Sequence, residues 1–426
     1  MLRNIPVIYV LGGGPGIRIK PLTDKRAKPA VPFGGNYRVI DFVLSNIYHS
    51  GLRKIFVLTQ WESTSLERHL DDGWRPRFGT GGDEFLRRLG AIMGEQREWY
   101  KGTANAIYQN VRYIKEHEPN LVDVFGADHI YLMDISQMND FHLEKESDLT
   151  ISAVAVKREL AAGEYGVLVV DDKWQLIDFE EKPLDPTPMP GNNEYCLASM
   201  GNYAFKPDVL LEELMKDAPK NTPRSSNGEI DYPNIKKYPE KFSSHDFGFD
   251  IIPAVKRAGK KIFVYNFRDN RVPGMSEKEI GFWRDIGNLD QFYEANMEMR
   301  SVEPPLNLYN KEWPVLTYVE FTQPAKFIIG GKALESIVAN NVIVSNSLVE
   351  RSVISYNVQL ENSHIEDSIL LGNNYVEEAI IKRSIVDKNV KVPKGEKIGV
   401  DSIKDKKRGF EISGKGVTVV PRDYKF

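Results

Sequence analysis

A 16-residue step, repeated along the last quarter of the chain, is the tightest constraint on what this sequence can fold into. The heptapeptide Ser336–Val342 (SIVANNV) aligns with Ser352–Val358 (SVISYNV), Ser368–Asn374 (SILLGNN) and Ser384–Val390 (SIVDKNV). A second register interleaves them: Val349, Ile365 and Ile381 keep the same step. Repeats this short, built of β-branched strand fragments and Asn-containing turns, describe a β-solenoid in which each coil buries its apolar positions against the next. Its role reads as structural by default, with oligomerisation or regulation as the alternative.

Upstream the pattern is different. Apolar strand-like runs, Lys54–Gln60, Asn120–Asp128, Asp148–Val156 and Lys261–Phe267, alternate with helical stretches such as Asp41–Gly51 and Thr103–Glu118. Such alternation predicts a layered α/β domain with a mostly parallel sheet, whose ligands sit beyond the carboxyl ends of the strands. The proline-rich segment Ser301–Thr317 reads as a linker. The expected organisation is therefore a domain over 1–300, a linker over 301–317 and a solenoid over 318–426, which suits a chain of 426 residues.

The first apolar run, from Val7 to Leu11, feeds directly into Gly12, Gly13, Gly14 and Gly16, with Arg18, Lys25 and Lys28 close behind. Glycines let a backbone approach a polyphosphate with its N–H groups turned inward, and nearby cations neutralise the charge. The loop is not a Walker A motif, because Ile17-Arg18 follows the last glycine where Lys-Ser/Thr would be needed. It matches the dinucleotide fingerprint only nominally, as a run this rich in glycine does by accident.

Taken with Lys25–Asn46 (KRAKPAVPFGGNYRVIDFVLSN), this segment resembles the nucleotidyltransferases that make nucleoside-diphosphate sugars, and most closely the bacterial glucose-1-phosphate adenylyltransferases. Further tracts agree in the family's order. They are Val57–Gln60, Trp99–Asn110, Phe125–Asp134, Tyr165–Asp171, Glu180–Pro183, Ala198–Phe205, Asp246–Pro253 and Phe282–Met299. The resemblance covers essentially the whole chain. It implies a nucleotidyltransferase-like layered domain followed by a left-handed parallel β-helix; the repeat alone shows only a solenoid.

The resemblance also implies the chemistry. AMP would pass from ATP to α-D-glucose 1-phosphate with release of pyrophosphate, for glycogen or starch synthesis, with Mg²⁺ bridging the anions. Asp128 and Asp285 match the family's metal aspartates, and His129 reads as a structural neighbour rather than a ligand. Arg18 and Lys28 match the groups that hold the reacting phosphates. Leu11, Gly13, Gly14, Gly16, Gln60, Gly102 and Thr103 fall in the nucleotide-facing stretches. Tyr100, Gly166, Glu181, Lys182 and Ser199 fall in those facing the sugar phosphate. Lys25, Arg26 and Arg422 match basic positions where an anionic metabolite would regulate the enzyme. A homotetramer, or a hetero-oligomer with a related subunit, is the implied assembly.

The glycine loop departs from the family's pattern. Pro15 stands where Arg, Lys or Ser is usual and offers no backbone N–H, and Ile17 replaces a threonine hydroxyl. Gly12 stands for Ala and Ile19 for Leu, while Asn105 and Phe249 replace a common Asp and Lys. Losing a hydrogen bond to a charged group removes roughly 1.5–3 kcal/mol, so the loop predicts reduced turnover. Three readings follow: a working adenylyltransferase, a weakly active nucleotide-binding regulatory subunit of the same enzyme, or a sister enzyme with another nucleotide or sugar phosphate.

Composition narrows the remaining classes. A net charge of −4 supplies no basic face for nucleic acid. No apolar run reaches the ~18 residues that a membrane helix needs. The start, MLRNIPVIYV, leaves no room for a leader before the first strand, and the one cysteine, Cys196, fits a reducing, cytoplasmic setting. Cys196 sits in an apolar strand, where packing is the default and a reactive thiol the alternative.

Overall fold

The computed structural model describes residues 6–91 and 99–426, so residues 1–5 of the opening segment lie outside it. Strand β1 (Val7–Leu11) is apolar at every position and buried along nearly its whole length, as a central strand must be. It pairs in parallel with β2 (Lys54–Thr59), and β2 in turn with β3 (Glu84–Gly90). On its other side β1 pairs in parallel with β4 (Val122–Gly126). The carboxyl ends of β1 and β4 therefore lie side by side, and the glycine loop and Asp128 continue from them.

An antiparallel wing extends the sheet. It contains β5 (Leu149–Lys157), β6 (Gly166–Val170), β7 (Leu176–Glu181), β8 (Tyr195–Phe205) and β9 (Ile262–Asn266). The long strand β8 runs antiparallel to β4, β5 and β6, while β9 runs parallel to β5. Its register with β5 shifts between Ser199 and Tyr203, where Gly201 takes φ 68°. The irregularity turns Ser199–Gly201 toward the cavity beyond the strand ends, a common use of a bulge.

Helix α1 (Ile40–His49) is buried over Ile40–Ile47 and carries Asp41 in its first turn. This wholly buried carboxylate accepts from Trp74 Nε1 (2.7 Å) and Thr317 Oγ1 (2.6 Å), and His69 Nε2 lies 2.5 Å away. Leu316 N donates to Ser45 Oγ one turn further along α1 (2.8 Å). The stretch read as a linker is thus strapped to the sheet domain.

From Lys326 onward three all-parallel stacks form the faces of a prism, with a single antiparallel strand appended to the third. Val349, Ile365 and Ile381 stack inward in register, as their spacing predicts, and all three are fully buried. The repeat's serines supply the corners: Ser336, Ser352 and Ser368 each accept from the backbone N–H of the serine 16 residues on. Asn341, Asn357, Asn373 and Asn389 have φ of 55–62°, a left-handed corner that asparagine tolerates. Each of the first three donates from Nδ2 to Oδ1 of the next, and Asn389 donates to Asp423 Oδ1 (2.8 Å). The domain is a parallel β-helix. Its Val353, Ile369, Ile385 and Val419 share one apolar core with Ile19, Leu22, Phe33 and Phe42 of the sheet domain and with Phe292, from helix α2 (Leu289–Met299).

Candidate functional site

The glycine loop leaves β1 with Gly12 N donating to Leu58 O (2.9 Å). Gly16 has φ +59°, and a Cβ there would come within 2.9 Å of Thr23 Cγ2 and 3.1 Å of Lys28 Cβ. Only glycine satisfies both the conformation and the contact. Thr23 Oγ1 closes the turn by donating to Gly16 O (2.8 Å), which registers the loop on the Lys28 segment.

Lys28 is buried, and its ammonium donates to Asp128 Oδ2 (2.8 Å) and Asp285 Oδ1 (3.4 Å). Burial works against the ammonium, but the two carboxylates outweigh it and raise its pKa. Asp128 is held below the usual carboxylate range: burial opposes its charge, but Lys28 and His129 overcome that penalty. The two aspartates lie 157 residues apart in sequence (285 − 128). A short antiparallel ladder unites them, with Asp285 opposite His129 and Arg284 opposite Ile130. His129 Nε2 lies 3.4 Å from Asp128 Oδ1 and 3.9 Å from Asp285 Oδ1, and its Nδ1 is buried without a hydrogen-bond partner among the described residues. Donor atoms of Asp128, His129 and Asp285 fall within 4.8 Å of one another. His129 thus faces both carboxylates rather than standing behind them.

Two adjoining cavities, of about 500 and 300 Å³, share Leu11, Gly14, Pro15 and Asp128. The smaller one is the glycine-loop pocket, lined also by Gly16, Ile17, Arg18 and Lys28. The larger is lined by Gly13, Gln60, Tyr100, Gly102, Thr103, Gly166, Glu181, Ser199 and Asp285 among others. Fifteen of the sixteen phosphate, nucleotide, sugar and metal residues expected from sequence therefore border one continuous space.

Lys182 is the exception. Like Glu181 before it, it is solvent-exposed, but with φ 48° it does not line either cavity. Arg18 is also solvent-facing, 60% exposed and 3.5 Å from Glu164. Two cavity residues have committed their hydroxyls elsewhere. Tyr100 OH donates to Leu89 O (3.3 Å) and accepts from Asn110 Nδ2 (3.1 Å), so its ring faces the space. Thr103 Oγ1 donates to Asp246 Oδ2 (2.9 Å) and accepts from Phe247 N (3.0 Å), so it builds the wall. Gly102 is needed there, since a Cβ would lie 2.3 Å from His245 O.

Glu181 sits against Gly166 and Gly248, where added Cβ atoms would fall within 3.1 Å and 3.0 Å of its Oε2. Burial and the nearby Asp246 charge push its carboxyl up to about 7, with Lys182 opposing. Asp246, Tyr203 and Trp283 line the cavity too and carried no assignment in the sequence. The signal was present, because each lies in a family-like tract. Of the departures, Asn105 Oδ1 accepts from Lys101 N and Gln109 Nε2 (3.1 and 2.9 Å), and Phe249 packs on Tyr232 at 4.8 Å. Both serve local structure.

At the junction with the β-helix, Lys25 pairs with Asp423 (3.0 Å), and Arg422 Nη1 donates to Lys25 O (3.4 Å). Arg26 corrects an expectation. Its guanidinium is buried and paired with the equally buried Asp387, so it is not free to take an anion from solvent. The neighbouring Lys388 is hydrogen-bonded to Tyr356 OH and pushed down to about 7 by burial and by Arg38 and Arg26. Cys196 is buried, and burial pushes its thiol up to about 11, which fits packing rather than reactivity.

Chemically, a cation-ready pair of carboxylates, a glycine loop and a buried lysine at one end of a long cleft can align two phosphorylated reactants and neutralise them. Comparison with known proteins agrees. A nucleotidyl transferase family model matches residues 7–302, and a GlmU-like C-terminal hexapeptide model matches residues 323–420. The glucose-1-phosphate adenylyltransferase of Thermus thermophilus is 43% identical over 429 residues, covering 98% of each chain. Glucose-1-phosphate adenylyltransferase 1 of Vibrio parahaemolyticus is 41% identical over 97% of each chain. The Trichlorobacter lovleyi enzyme of the same name is 41% identical over 98% of this chain and 97% of its own.

Proposed function

This chain belongs to the glucose-1-phosphate adenylyltransferase family of nucleotidyl transferases, and on that premise we propose how its residues carry the reaction. The enzyme transfers AMP from ATP to α-D-glucose 1-phosphate, giving ADP-glucose and pyrophosphate for glycogen or starch synthesis. A phosphate oxygen of the sugar attacks the α-phosphorus, and the bond to the β-phosphate's bridging oxygen breaks. The single observation that carries the assignment is Lys28 between Asp128 and Asp285, at the mouth of the glycine loop.

We assign the glycine loop, Arg18 and Lys28 to the triphosphate, and Gly13, Gln60 and the Tyr100–Thr103 wall to the nucleoside. Glu181, Gly166 and Ser199 go to the glucose ring, with Lys182 at the rim for its phosphate. The clustered carboxylates of Asp128 and Asp285 suit a hard divalent cation with oxygen ligands. Mg²⁺ held there would supply charge neutralisation to the facing phosphates. Lys28, already buried, would then turn its ammonium from the carboxylates to the pyrophosphate as charge builds on it.

The test is pyrophosphate release from ATP, glucose 1-phosphate and Mg²⁺, run beside UTP, GTP and dTTP. Turnover with ATP is expected; none with any nucleotide would sink the proposal. No observation favours the regulatory-subunit reading. The loop still predicts a rate below the family's usual one, since Pro15 lacks an N–H and Ile17, 65% exposed, offers no hydroxyl. Pro15→Arg with Ile17→Thr is expected to raise kcat/KM for ATP by about tenfold, from one regained charge-assisted hydrogen bond. An unchanged value would show that the native loop already suffices.

Glu181 adds a pH signature. Below about 7 it carries a proton, and above it the ionised carboxylate accepts sugar hydroxyls with the strength of a charged acceptor. The KM for glucose 1-phosphate is therefore expected to fall as pH rises from 6 to 8, by roughly three- to tenfold. Glu181→Gln should remove that part of the profile while leaving the KM for ATP in place.

For regulation we propose an anionic metabolite at Lys25 and Arg422, where it would displace Asp423 from its pairing with Lys25. For assembly we propose the homotetramer, or a hetero-oligomer with a related subunit, supported by exposed Phe327, Ile329 and Leu334 on the first coil of the β-helix. A cytoplasmic setting rests on the one buried, unpaired cysteine. No helix among the described residues is long and apolar enough to cross a membrane.

A further inference from the structure

We propose that Asp387, in the β-helix, is a positioning residue for Lys28 and acts through Arg26. The inference rests on the assignment of Lys28 above. Three consecutive facts carry it. The Arg26 guanidinium and the Asp387 carboxylate are both buried and pair directly, although the residues are 361 positions apart. Two residues on, Lys28 sends its ammonium the opposite way, to Asp128 and Asp285. Between them, Ala27 N is pinned by Glu62 O (3.0 Å), and Pro29 stiffens the turn that follows.

Two residues of chain span at most about 7 Å, so a shift of the Arg26 head group has little slack in which to dissipate before Lys28. Lys28 also touches the glycine loop, where its Cβ lies 3.1 Å from the point a Gly16 Cβ would occupy. The last coil of the β-helix therefore sets the position of both the lysine and the phosphate loop. Asp387 is itself fixed on that coil: its N–H donates to Val420 O (3.0 Å), and its Oδ1 accepts from Lys388 N (2.6 Å). Among the described residues Arg26 Nε and Asp387 Oδ2 have no hydrogen-bond partner, so the contact is a single bond from Nη2 to Oδ1 rather than a two-point fork. A single bond fixes distance but leaves angle adjustable, and removing its charge leaves the Ala27 N–Glu62 O bond as the remaining hold on the segment before Lys28.

Asp387→Asn in the full-length chain tests this. It is expected to lower kcat for ADP-glucose formation by about ten- to a hundredfold, the scale of an ångström-sized misplacement, with KM values changed less than about twofold. The same substitution in a Lys28→Ala background should cause no further loss. Equal losses in both backgrounds would show that Asp387 acts on folding or on another group, and would overturn the proposal. Should Asp387→Asn fail to fold, Asp387→Glu keeps the charge and displaces it by one methylene. It is expected to lose kcat by a few-fold with the same dependence on Lys28. A second readout needs no turnover: labelling of Lys28 by an amine-reactive ester, followed by peptide mass spectrometry, should accelerate several-fold in the Asp387 variants. Unchanged labelling would overturn the inference. Wild-type protein that forms no nucleotide sugar would instead sink the functional assignment and leave the labelling result to stand alone.

Discussion

Lys28→Met is expected to reduce kcat for ADP-glucose formation by about 10²–10³-fold, the largest activity loss of any single substitution proposed for this chain. A solvated surface lysine would cost less than twofold. Lys28 is different because its ammonium is buried and held by two carboxylates at 2.8 and 3.4 Å. Removing it deprives the reacting phosphates of a preorganised cation and leaves Asp128 and Asp285 facing one another without compensation. Asp128, now held below the usual carboxylate range by Lys28 and His129 against its burial, should rise toward that range. A second sign distinguishes this account from simple misfolding. The ammonium competes with a divalent cation for the same oxygens, so the variant should bind Mn²⁺ more tightly than wild type while turning over more slowly. Kinetics paired with a metal titration followed by electron paramagnetic resonance reads both. Tighter metal with lower kcat supports the arrangement. Weaker metal with unchanged kcat would remove Lys28 from the centre of the mechanism.

Much of this site was legible because it is built from local tracts. The glycine loop, the strand before Asp128 and the Trp283–Asp285 tract are each continuous in sequence, and each ends at the carboxyl side of the sheet or on the short ladder beside it. The β-helix was legible for a different reason. A 16-residue step fixes which atoms stack, so Ser352 over Ser336 and Asn357 beside Asn341 follow from the period itself. What stayed hidden depends on partners that no period specifies. Arg26 looks like a surface cation beside Lys25, yet it is buried against Asp387, because only the docking of two domains decides which of two neighbouring basic residues faces inward. The Thr103 hydroxyl is spent on Asp246, and the Tyr100 hydroxyl on Leu89 and Asn110, pairings made across 143, 11 and 10 residues. Strand–helix alternation likewise captured the parallel centre of the sheet. The antiparallel wing follows from the hairpin of β6 and β7 and from the length of β8, which pairs on both edges. Asp123 is an acid in the middle of an apolar strand, and only its complete burial shows what it does.

That residue gives the largest expected effect on stability. Asp123 is fully buried in β4; its Oδ2 accepts from Asn139 Nδ2 (2.9 Å), while its Oδ1 and Asn139 Oδ1 are both buried without a donor among the described residues. One proton on the carboxyl would supply the missing donor between two orphaned acceptors. Burial, opposed only by the Asn139 hydrogen bond, pushes the Asp123 pKa from 3.8 up to about 7. The folded state therefore holds this proton up to about pH 7, whereas the unfolded chain releases it near its ordinary value. The stability from this group is complete below that ordinary value and declines as pH rises to about 7, where the decline levels off. A shift of about three units corresponds to roughly 4 kcal/mol across that window. Asp123→Asn is neutral at every pH and should escape the decline. The stability difference between variant and wild type, measured by urea unfolding from pH 5 to 8.5, is expected to move in the variant's favour up to about pH 7 and then to level off. Asn139→Ala removes the one bond that favours the ionised form, so in that background the inflection should move to higher pH. A difference that does not vary with pH would mean that Asp123 is ionised in the folded protein, with its charge met by a partner other than Asn139.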